Sequence, residues 1–372
     1  MFLALKEMAR AKVRFGLLIA ALAMLVFLIL FQQSLQNGLV TSFVGAIRNQ
    51  SAPVLVYPVD GQRVIQGSII TPDFEQTVRG ADGIGEVGRI GQGTFTVATG
   101  AGTADASIWG YDDRSLGAPA ELSAGRYPSG PGQAVGNASD AGDGFDLGET
   151  IRVQPGGYEV EIVGLADDVQ LSAAPTLFVT YDTYVEAVRS SNPDAGVPLP
   201  NVLAMAPSDG VTPDELVANL NGLDDQVDAL SRTEAAAETP GVAQVQQSFR
   251  IIFLLYGLVI PSVTGLFFLI VTFQKSDALT LLRAIGAPAS RLVASLLSQA
   301  LIILAAGFAI GVALYYPVSQ QQLGGISLRF ETAAVVLWAF VLLVLGVGSS
   351  MLSARRLLRI DPAEATIGSG NR

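Results

Sequence analysis

The sequence predicts an α-helical membrane bundle with four transmembrane helices, one before and three after an inserted α+β extracytoplasmic domain. Half of the 372 residues are apolar and only 15% are charged. Four segments without charged side chains are each long enough to cross a bilayer, which takes about 20 apolar residues. A long acidic segment separates the first of them from the other three. These features together predict the one-plus-three arrangement.

The apolar and polar segments predict the boundaries of the parts. In chain order they are residues 1–14, an amphipathic cytoplasmic helix; 15–38, the first transmembrane helix with a stalk extension; 39–245, the extracytoplasmic core domain; 246–273, a second stalk and transmembrane helix; 274–291, a cytoplasmic coupling loop or helix; 292–318, the third transmembrane helix; 319–331, a short outer loop; 332–354, the fourth transmembrane helix; and 355–372, a cytoplasmic tail. A simple positively charged flank is the alternative for residues 1–14.

The first apolar segment is interpreted as a retained helix, although basic residues precede it as in a secretory signal. A signal peptide would end in a cleavage site with small residues. Here the run continues into Gln32–Asn37, and helical spacing persists through Leu39, Phe43 and Ile47. We therefore expect this helix to project beyond the membrane.

Charge predicts the orientation. Basic residues cluster before the first apolar segment, between the second and third, and after the fourth: Lys6, Arg10, Lys12 and Arg14; Lys275, Arg283 and Arg291; Arg355, Arg356, Arg359 and Arg372. Residues 39–250 instead hold 28 Asp and Glu, ten Arg and no Lys, a net charge of −18. By the positive-inside rule the basic segments are cytoplasmic. The prediction is a multi-pass protein of the cytoplasmic membrane with both termini inside.

Composition excludes several kinds of chemistry. The chain has no Cys and no His, so disulfides, thiolate metal sites and imidazole acid–base catalysis are excluded. None of its three lysines follows the Gly-rich run of a P-loop. The apolar segments lack ionisable side chains, which disfavours ion-coupled transport. We predict no catalytic residue, metal site or cofactor in this chain and no nucleic-acid partner.

The acidic segment reads as short strands and helices. Strands are predicted at 54–59, 94–97, 107–111, 150–154, 158–163, 177–180 and 201–206, and helices at 72–78, 182–189, 213–220 and from 233 into the second transmembrane helix. Pro155-Gly156-Gly157 predicts the turn of a hairpin. Residues 112–149 are rich in Gly, Pro, Ser and Asp, and we expect little regular structure there.

Small residues at helical spacing predict close helix packing or a dimer interface in the membrane. They are Gly257, Pro261 and Gly265 in the second segment, Gly307 and Gly311 in the third, and Gly346 and Ser350 in the fourth. Chance spacing is the alternative, since apolar helices are often rich in glycine. Pro261 is expected to kink its helix.

The loop between the second and third apolar segments predicts a short cytoplasmic helix. Ser276 can cap its start, while Gly286 and Pro288 end it. Its apolar face of Leu281, Leu282 and Ile285 favours a protein partner beneath the membrane. A helix lying against lipid is the alternative.

Two cytoplasmic motifs resemble those of ABC transporter permeases of the FtsX, MacB and LolC type, the mechanotransmission class. They are Leu282-Arg283-Ala284-Ile285-Gly286-Ala287 in the coupling segment, and the tail residues Arg355 and Arg356 followed by Asp361-Pro362-Ala363-Glu364. Gly125-Arg126-Tyr127-Pro128 and Leu147-Gly148-Glu149-Thr150 resemble turns of the family's outer domain. Ala278 stands where many members carry Glu.

The resemblance implies a non-catalytic permease subunit in contact with membrane lipids. Its partners would be two copies of a separate ABC ATPase, which binds ATP and Mg, and a second permease, identical or homologous. Residues Leu281 to Ala287 would receive the motion of the ATPase. The resemblance also allows a periplasmic or extracellular accessory protein as a further partner. The expected function is extrusion of a lipid, lipopeptide, hydrophobic drug or peptide; the alternative is an FtsX-like transmitter that activates an extracellular cell-wall hydrolase.

Overall fold

The computed structural model describes residues 12–274, 288–323 and 326–358. These residues form two compact units. The helical unit runs to Gln36 and resumes over Ser248–Gln321 and from Leu328, and the inserted domain comprises Asn37–Gln247 with Gln322–Ser327.

The helices that the structure describes alternate with strands only in the inserted domain. They are α1 Lys12–Asn49, α2 Pro72–Arg79, α3 Tyr181–Ser191, α4 Pro213–Asn221, α5 Arg232–Glu238, α6 Val242–Gln274, α7 Ala289–Val318 and α8 Thr332–Leu358.

The strands form one large mixed sheet and a separate hairpin. They are β1 Val54–Pro58, β2 Ile84–Thr99, β3 Gly102–Tyr111, β4 Ala124–Gly125, β5 Gln133–Asn137, β6 Thr150–Val153, β7 Tyr158–Ala166, β8 Thr176–Thr180, β9 Val202–Pro207, β10 Val227–Ser231, β11 Gln322–Leu323 and β12 Ile326–Ser327. The order in the sheet is β10-β1-β9-β2-β3-β8-β5-β7-β4, and β6 pairs with β2 and β7. The β3–β8 and β5–β7 pairs are parallel and the others antiparallel.

In the described part of the chain, α1, α6, α7 and α8 are long and apolar enough to cross a membrane. Their shared core includes Ile29 and Leu30 of α1 and Ile303 of α7, all almost fully buried. The predicted fold class, four apolar helices in a one-plus-three order around an α+β insertion, is confirmed.

Helices α2 and α4 cover one end of the sheet, where Val78 and Leu216 pack into the core of β1, β9 and β10. Each begins as the sequence predicts. The Thr71 side chain accepts a hydrogen bond from the Phe74 amide, and Thr212 forms a reciprocal capping box with Glu215.

Helix α3 packs against β2 and β3 at two glycines. A Cβ on Gly91 would lie 2.4 Å from Tyr184 Cε1, and one on Gly110 would lie 2.4 Å from Tyr184 Cβ. The Tyr184 ring also meets Phe95 edge to face at a centroid distance of 6.4 Å. The glycine content of residues 84–93 is typical of a loop, but in this strand the missing side chain of Gly91 leaves the space that the Tyr184 ring occupies.

Two predictions about the inserted domain are wrong. Residues 112–149 contain β5, which lies between β7 and β8 in the interior of the sheet. Its short sequence, QAVGN, lacks the apolar pattern that predicts a strand, and it is buried because β7 and β8 lie on either side of it. The helix predicted from 233 is broken, because α5 ends at Glu238 and Gly241 adopts a φ of 92° before α6 begins.

Candidate functional site

The packing between α1 and α7 depends on the two glycines predicted for α7. A Cβ on Gly307 would lie 2.7 Å from Leu22 Cδ2, and one on Gly311 would lie 2.7 Å from the Ala23 carbonyl oxygen. Such distances leave room for hydrogen alone, so the two helix backbones approach closely here.

The small residues of α6 and α8 have more varied surroundings. A Cβ on Gly346 would lie 2.6 Å from Leu304 Cδ1, and one on Gly265 would meet Ser349 Cβ at 3.6 Å. No described atom comes within 4 Å of the position for a Cβ on Gly257. Pro261 lies inside α6, which continues on both sides of it, and Ser350 lies in α8. No part of the chain that the structure describes therefore covers α6 at Gly257.

Polar bonds join the helices at the end of the bundle near the inserted segments. The Ser34 hydroxyl donates to the Arg329 carbonyl at 3.1 Å and accepts from the Arg329 amide at 3.0 Å. The Tyr315 hydroxyl donates to the same carbonyl at 2.7 Å. The Tyr256 hydroxyl also donates to Gln32. These bonds fix α1, α6 and α7 relative to the segment before α8.

The predicted coupling residues, Leu281, Leu282, Arg283, Ala284, Ile285, Gly286 and Ala287, lie outside the described residues, as do Asp361, Pro362 and Glu364 of the tail. Arg355 and Arg356 lie in the last turn of α8. The cytoplasmic contact with an ATPase therefore stays a prediction.

The C-terminal end of α1 is docked against the segment that follows β3. The Ser51 amide donates to the Ala118 carbonyl and the Ala120 amide to the Asn49 carbonyl, both at 2.9 Å. The Arg232 side chain donates to the Gln50 carbonyl at 2.7 Å. The sequence did not predict this contact. A helix that is followed by Pro and a strand does not indicate which loop the end of the helix will pack against.

A polar cleft of about 290 Å³ opens beside this end of α1. Its charged lining consists of Arg48, Glu121, Asp167, Asp168 and Arg232. The two signs are mixed and solvent reaches most of these side chains, so the cleft does not select an ion of either charge. Among the described residues, no group of three or more acidic side chains is placed to hold a metal ion.

A second cavity, of about 130 Å³, is entirely apolar and lies between the ends of α1 and α6 that belong to the inserted domain. Val40 and Phe43 line one side, and Gly241, Val242 and Val245 line the other. Phe43 is 43% exposed, which is high for a large apolar side chain. This cavity can accept a small apolar group.

Buried carboxylates of the inserted domain are held by specific partners. Burial raises the pKa of the Asp140 carboxyl group, and hydrogen bonds from Asn137 and Gln170 offset part of that rise. Burial also acts to raise the pKa of Glu75, but bonds and charges from Arg79 and Arg89 outweigh it and hold that pKa below its usual value. Both carboxyl groups therefore hold neighbouring residues of the domain together through hydrogen bonds.

Comparison with known proteins gives a family and several distant relatives. Residues 250–362 match the family described as FtsX-like permease C-terminal. An uncharacterized ABC transporter permease of Mycobacterium tuberculosis is 22% identical over 380 residues, covering 98% of this chain and 99% of the relative. Permease protein HrtB of Staphylococcus epidermidis, whose name assigns it to a hemin transport system, is 21% identical over 67% of each chain.

Two solved structures are similar to about half of this chain. The periplasmic region of MacB from Actinobacillus actinomycetemcomitans shares 15% identity, covering 50% of this chain and 92% of that one with a TM-score of 0.37. The extracellular domain of the transporter YknZ from Gram-positive bacteria shares 16% identity, covering 48% and 99% with a TM-score of 0.32. The family match over residues 250–362 and the full-length relative, together with four helices long and apolar enough to cross a membrane, make this chain similar to FtsX-like ABC transporter permeases.

Proposed function

We propose that this permease passes motion from a cytoplasmic ATPase to its inserted domain and so extrudes an apolar cargo from the outer side of the membrane. An ABC transporter permease implies an ATPase partner. The proposed complex contains two ATPase subunits and a second permease, identical or homologous. Residues Leu281 to Ala287 would contact the ATPase. ATP and Mg would bind to the ATPase subunits and not to the permease.

The observation that carries this proposal is the length of the two helices that flank the inserted domain. Helix α1 has 32 residues before its kink at Val44, from Lys12 to Phe43, and α6 has 33 residues, about 48 and 50 Å at a rise of about 1.5 Å per residue. The hydrocarbon core of a bilayer is about 30 Å thick. Each helix therefore has residues beyond those that a span needs, and a stiff helix can carry displacement along its axis.

The charge distribution supports an extracytoplasmic position for the inserted domain and cytoplasmic termini. The domain is strongly acidic and without Lys, whereas all three Lys lie in segments outside it. Positive charge near short membrane loops is retained in the cytoplasm.

The open face of α6 supports a second permease as the neighbour. No atom of the described residues lies within 4 Å of the position for a Cβ on Gly257, and Leu254 and Leu258 on the same helix are 69% and 66% exposed. Glycine at this spacing is typical of helix–helix contacts in membranes. We propose that Gly257, Pro261 and Gly265 face the partner permease.

The apolar cavity between Val40 and Val242 supports an apolar cargo. At about 130 Å³ it is smaller than the about 300–1,000 Å³ of pockets that enclose drug-sized ligands, so it fits one end of an acyl chain or a ring edge. Hemin, named for the staphylococcal relative, joins lipids, lipopeptides, hydrophobic drugs and peptides as a cargo to test.

The test is purification of the tagged chain from native membranes, followed by identification of bound ATPases and measurement of cargo release. The expected result is one co-purifying ABC ATPase and ATP-dependent loss of a labelled lipid, drug or hemin from cells or proteoliposomes. A complex whose ATPase lacks its P-loop lysine is the matched control. Absence of any bound ATPase would refute the proposal, and so would cargo release that is equal with the control.

A further inference from the structure

Helix α1 is kinked within the inserted domain, at Val44, whose φ of −132° and ψ of 15° are not helical. A kink opens the ladder of hydrogen bonds between residues four apart, and the freed backbone groups need other partners when they are buried. Val44 is 1% exposed and Ala46 is fully buried. Solvent therefore cannot satisfy the groups released here.

The connection between β7 and β8 supplies those partners. The Ser172 amide donates to the Phe43 carbonyl at 3.0 Å, and the Ala173 amide donates to the Ser42 carbonyl at 2.8 Å. In the other direction, the Ala46 amide donates to the Gln170 carbonyl at 2.9 Å. We call residues 168–174 the clamp loop, since they pair with the kink as a strand pairs with its neighbour.

The clamp loop has an unusual backbone that fits this task. Asp168, Ser172 and Ala173 have φ values of 59°, 54° and 57°. Residues other than glycine reach this left-handed region at a cost of about 1–2 kcal/mol each. Such a conformation persists when surrounding contacts fix it. At Ser172 and Ala173 these contacts are the hydrogen bonds that their backbone amides donate to α1.

Glycine is required where the loop approaches the helix most closely. A Cβ on Gly45 would lie 2.4 Å from the Asp168 carbonyl oxygen. The same carbonyl accepts a hydrogen bond from the Asn49 side chain at 2.5 Å. Any side chain at Gly45 would therefore push the clamp loop away from α1.

A buried polar cluster fastens the clamp loop to the sheet. The Gln170 side chain donates to Asp140 Oδ1 at 2.5 Å, and the Asn137 side chain donates to Asp140 Oδ2 at 3.1 Å. The Val169 amide donates to Asn137 Oδ1 at 3.2 Å. Asn137 ends β5, in the interior of the sheet.

The same cluster also holds the hairpin formed by β11 and β12. The Gln322 side chain donates to the Ser139 carbonyl at 2.7 Å, next to Asp140. In the same hairpin, Ser327 O lies 2.7 Å from the position of a Cβ on Gly38. The segment that joins α7 to α8 therefore contacts both α1 and the turn that carries Asp140.

We propose that the clamp loop is the mechanical joint between α1 and the sheet, with Gly45 and Asp140 as its positioning residues. The inference rests on the proposed function, since it names the contact through which motion of α1 would reach the domain. A displacement of α1 would be passed through the paired backbone to β5, β7 and β8, while the hairpin would link α7 and α8 to the same turn.

The test compares Gly45→Ala with Gly16→Ala, a change in the same helix at a position where no described residue comes within 4 Å of a Cβ. In the complex with its ATPase, we expect Gly45→Ala to keep assembly and basal ATP hydrolysis but to lower ATP-dependent cargo release about tenfold, within the usual range of coupling energies. Gly16→Ala should behave as the wild type. Equal cargo release by the two variants would overturn the proposal.

A cysteine pair keeps the idea testable if Gly45→Ala fails to fold. Val44 and Leu171 form an antiparallel bridge, a pairing with Cα atoms about 4.5–5.5 Å apart, which suits a disulfide. Because the chain has no Cys, Val44→Cys with Leu171→Cys can be oxidised selectively. A rigid joint predicts that the oxidised protein still releases cargo, and loss of release that dithiothreitol restores would refute it.

Amide hydrogen exchange separates the joint from the proposed function. The Ala46, Ser172 and Ala173 amides should exchange slowly in the purified wild type and faster in Gly45→Ala. Fast exchange in the wild type would refute the clamp whatever the transport result. Slow exchange in a protein that binds no ATPase would instead refute the proposed function alone.

Discussion

Gly311 of α7 lies directly against Val26 of α1, so that a Cβ on the glycine would come within 2.6 Å of the valine Cβ. Val26 is 1% exposed and belongs to the core shared by the long helices. The closeness of these two residues allows the backbones of α1 and α7 to approach each other closely. The stability of the helical bundle should therefore be sensitive to side-chain volume at position 311.

Gly311→Val should destabilise the helical unit, because the added side chain overlaps both Val26 and the Ala23 carbonyl. Overpacking of this kind costs about 1–3 kcal/mol. The measurement is thermal unfolding of the detergent-solubilised protein. Gly348→Ala in α8 is the control, since none of the atoms that the structure describes lies within 4 Å of a Cβ there. Equal melting temperatures for the two variants would contradict the observed packing.

Gly257→Leu should weaken the association of two permeases while leaving the single chain stable. A Cβ at this position meets no atom of the described residues within 4 Å, but the leucine side chain would obstruct a close helix contact with a neighbouring permease. Cross-linking in membranes and mass photometry in nanodiscs would measure the dimer fraction, with Gly348→Ala again as the control. An unchanged dimer fraction would exclude the Gly257 face as the permease interface.

Single cysteines should report the orientation of the chain, because the wild type has none. Ser129 is exposed on the inserted domain, so Ser129→Cys should react with a membrane-impermeant maleimide in intact cells or spheroplasts. Ser276→Cys, in the segment between α6 and α7, should react only after the membrane is opened. Labelling of both residues from the same side would overturn the proposed topology.

Arg283→Ala combined with Gly286→Val should uncouple ATP hydrolysis from cargo release, because both residues belong to the segment proposed to meet the ATPase. We expect normal membrane insertion, and cargo release lowered about tenfold or more relative to ATP hydrolysis. Ser298→Ala is the control, since that hydroxyl donates a hydrogen bond within α7, to the Ala294 carbonyl at 2.8 Å. A fully active double variant would remove the coupling role.

Glu75→Gln should change how the stability of the inserted domain depends on pH. The pKa of Glu75 is lowered in the folded protein, so its ionised form stabilises the fold above the unfolded pKa near 4.5, and this stability is lost as pH falls through the lower folded value. Near neutral pH, loss of the charged bonds to Arg79 and Arg89 should cost about 1–3 kcal/mol.

Thermal unfolding between pH 3 and pH 7 measures this effect. The wild type should lose stability in acid, and Glu75→Gln should lose less over the same range. Asp225→Asn, on an exposed loop of the same domain, should follow the wild-type curve. If the Glu75→Gln curve runs parallel to that of the wild type, the bonds to Arg79 and Arg89 do not stabilise the domain as the structure indicates.

The local elements of this protein could be predicted from sequence because their causes are local. A long run without charge is sufficient for a helix of α7 or α8, since backbone groups in lipid must bond within their own segment. Thr71 before Pro72 marks the start of α2, and Pro155-Gly156-Gly157 marks the turn between β6 and β7, as the structure confirms. The family resemblance likewise came from short contiguous motifs.

Tertiary structure alone decided the features that depend on distant residues. β5 became an interior strand because β7 and β8 flank it, and α5 separated from α6 at Gly241. The kink at Val44 is satisfied by amides at 172 and 173, which lie more than a hundred residues away in the chain. Hydrogen bonding and close packing act through space, so a sequence pattern shows which groups need partners but leaves the identity of those partners to the fold.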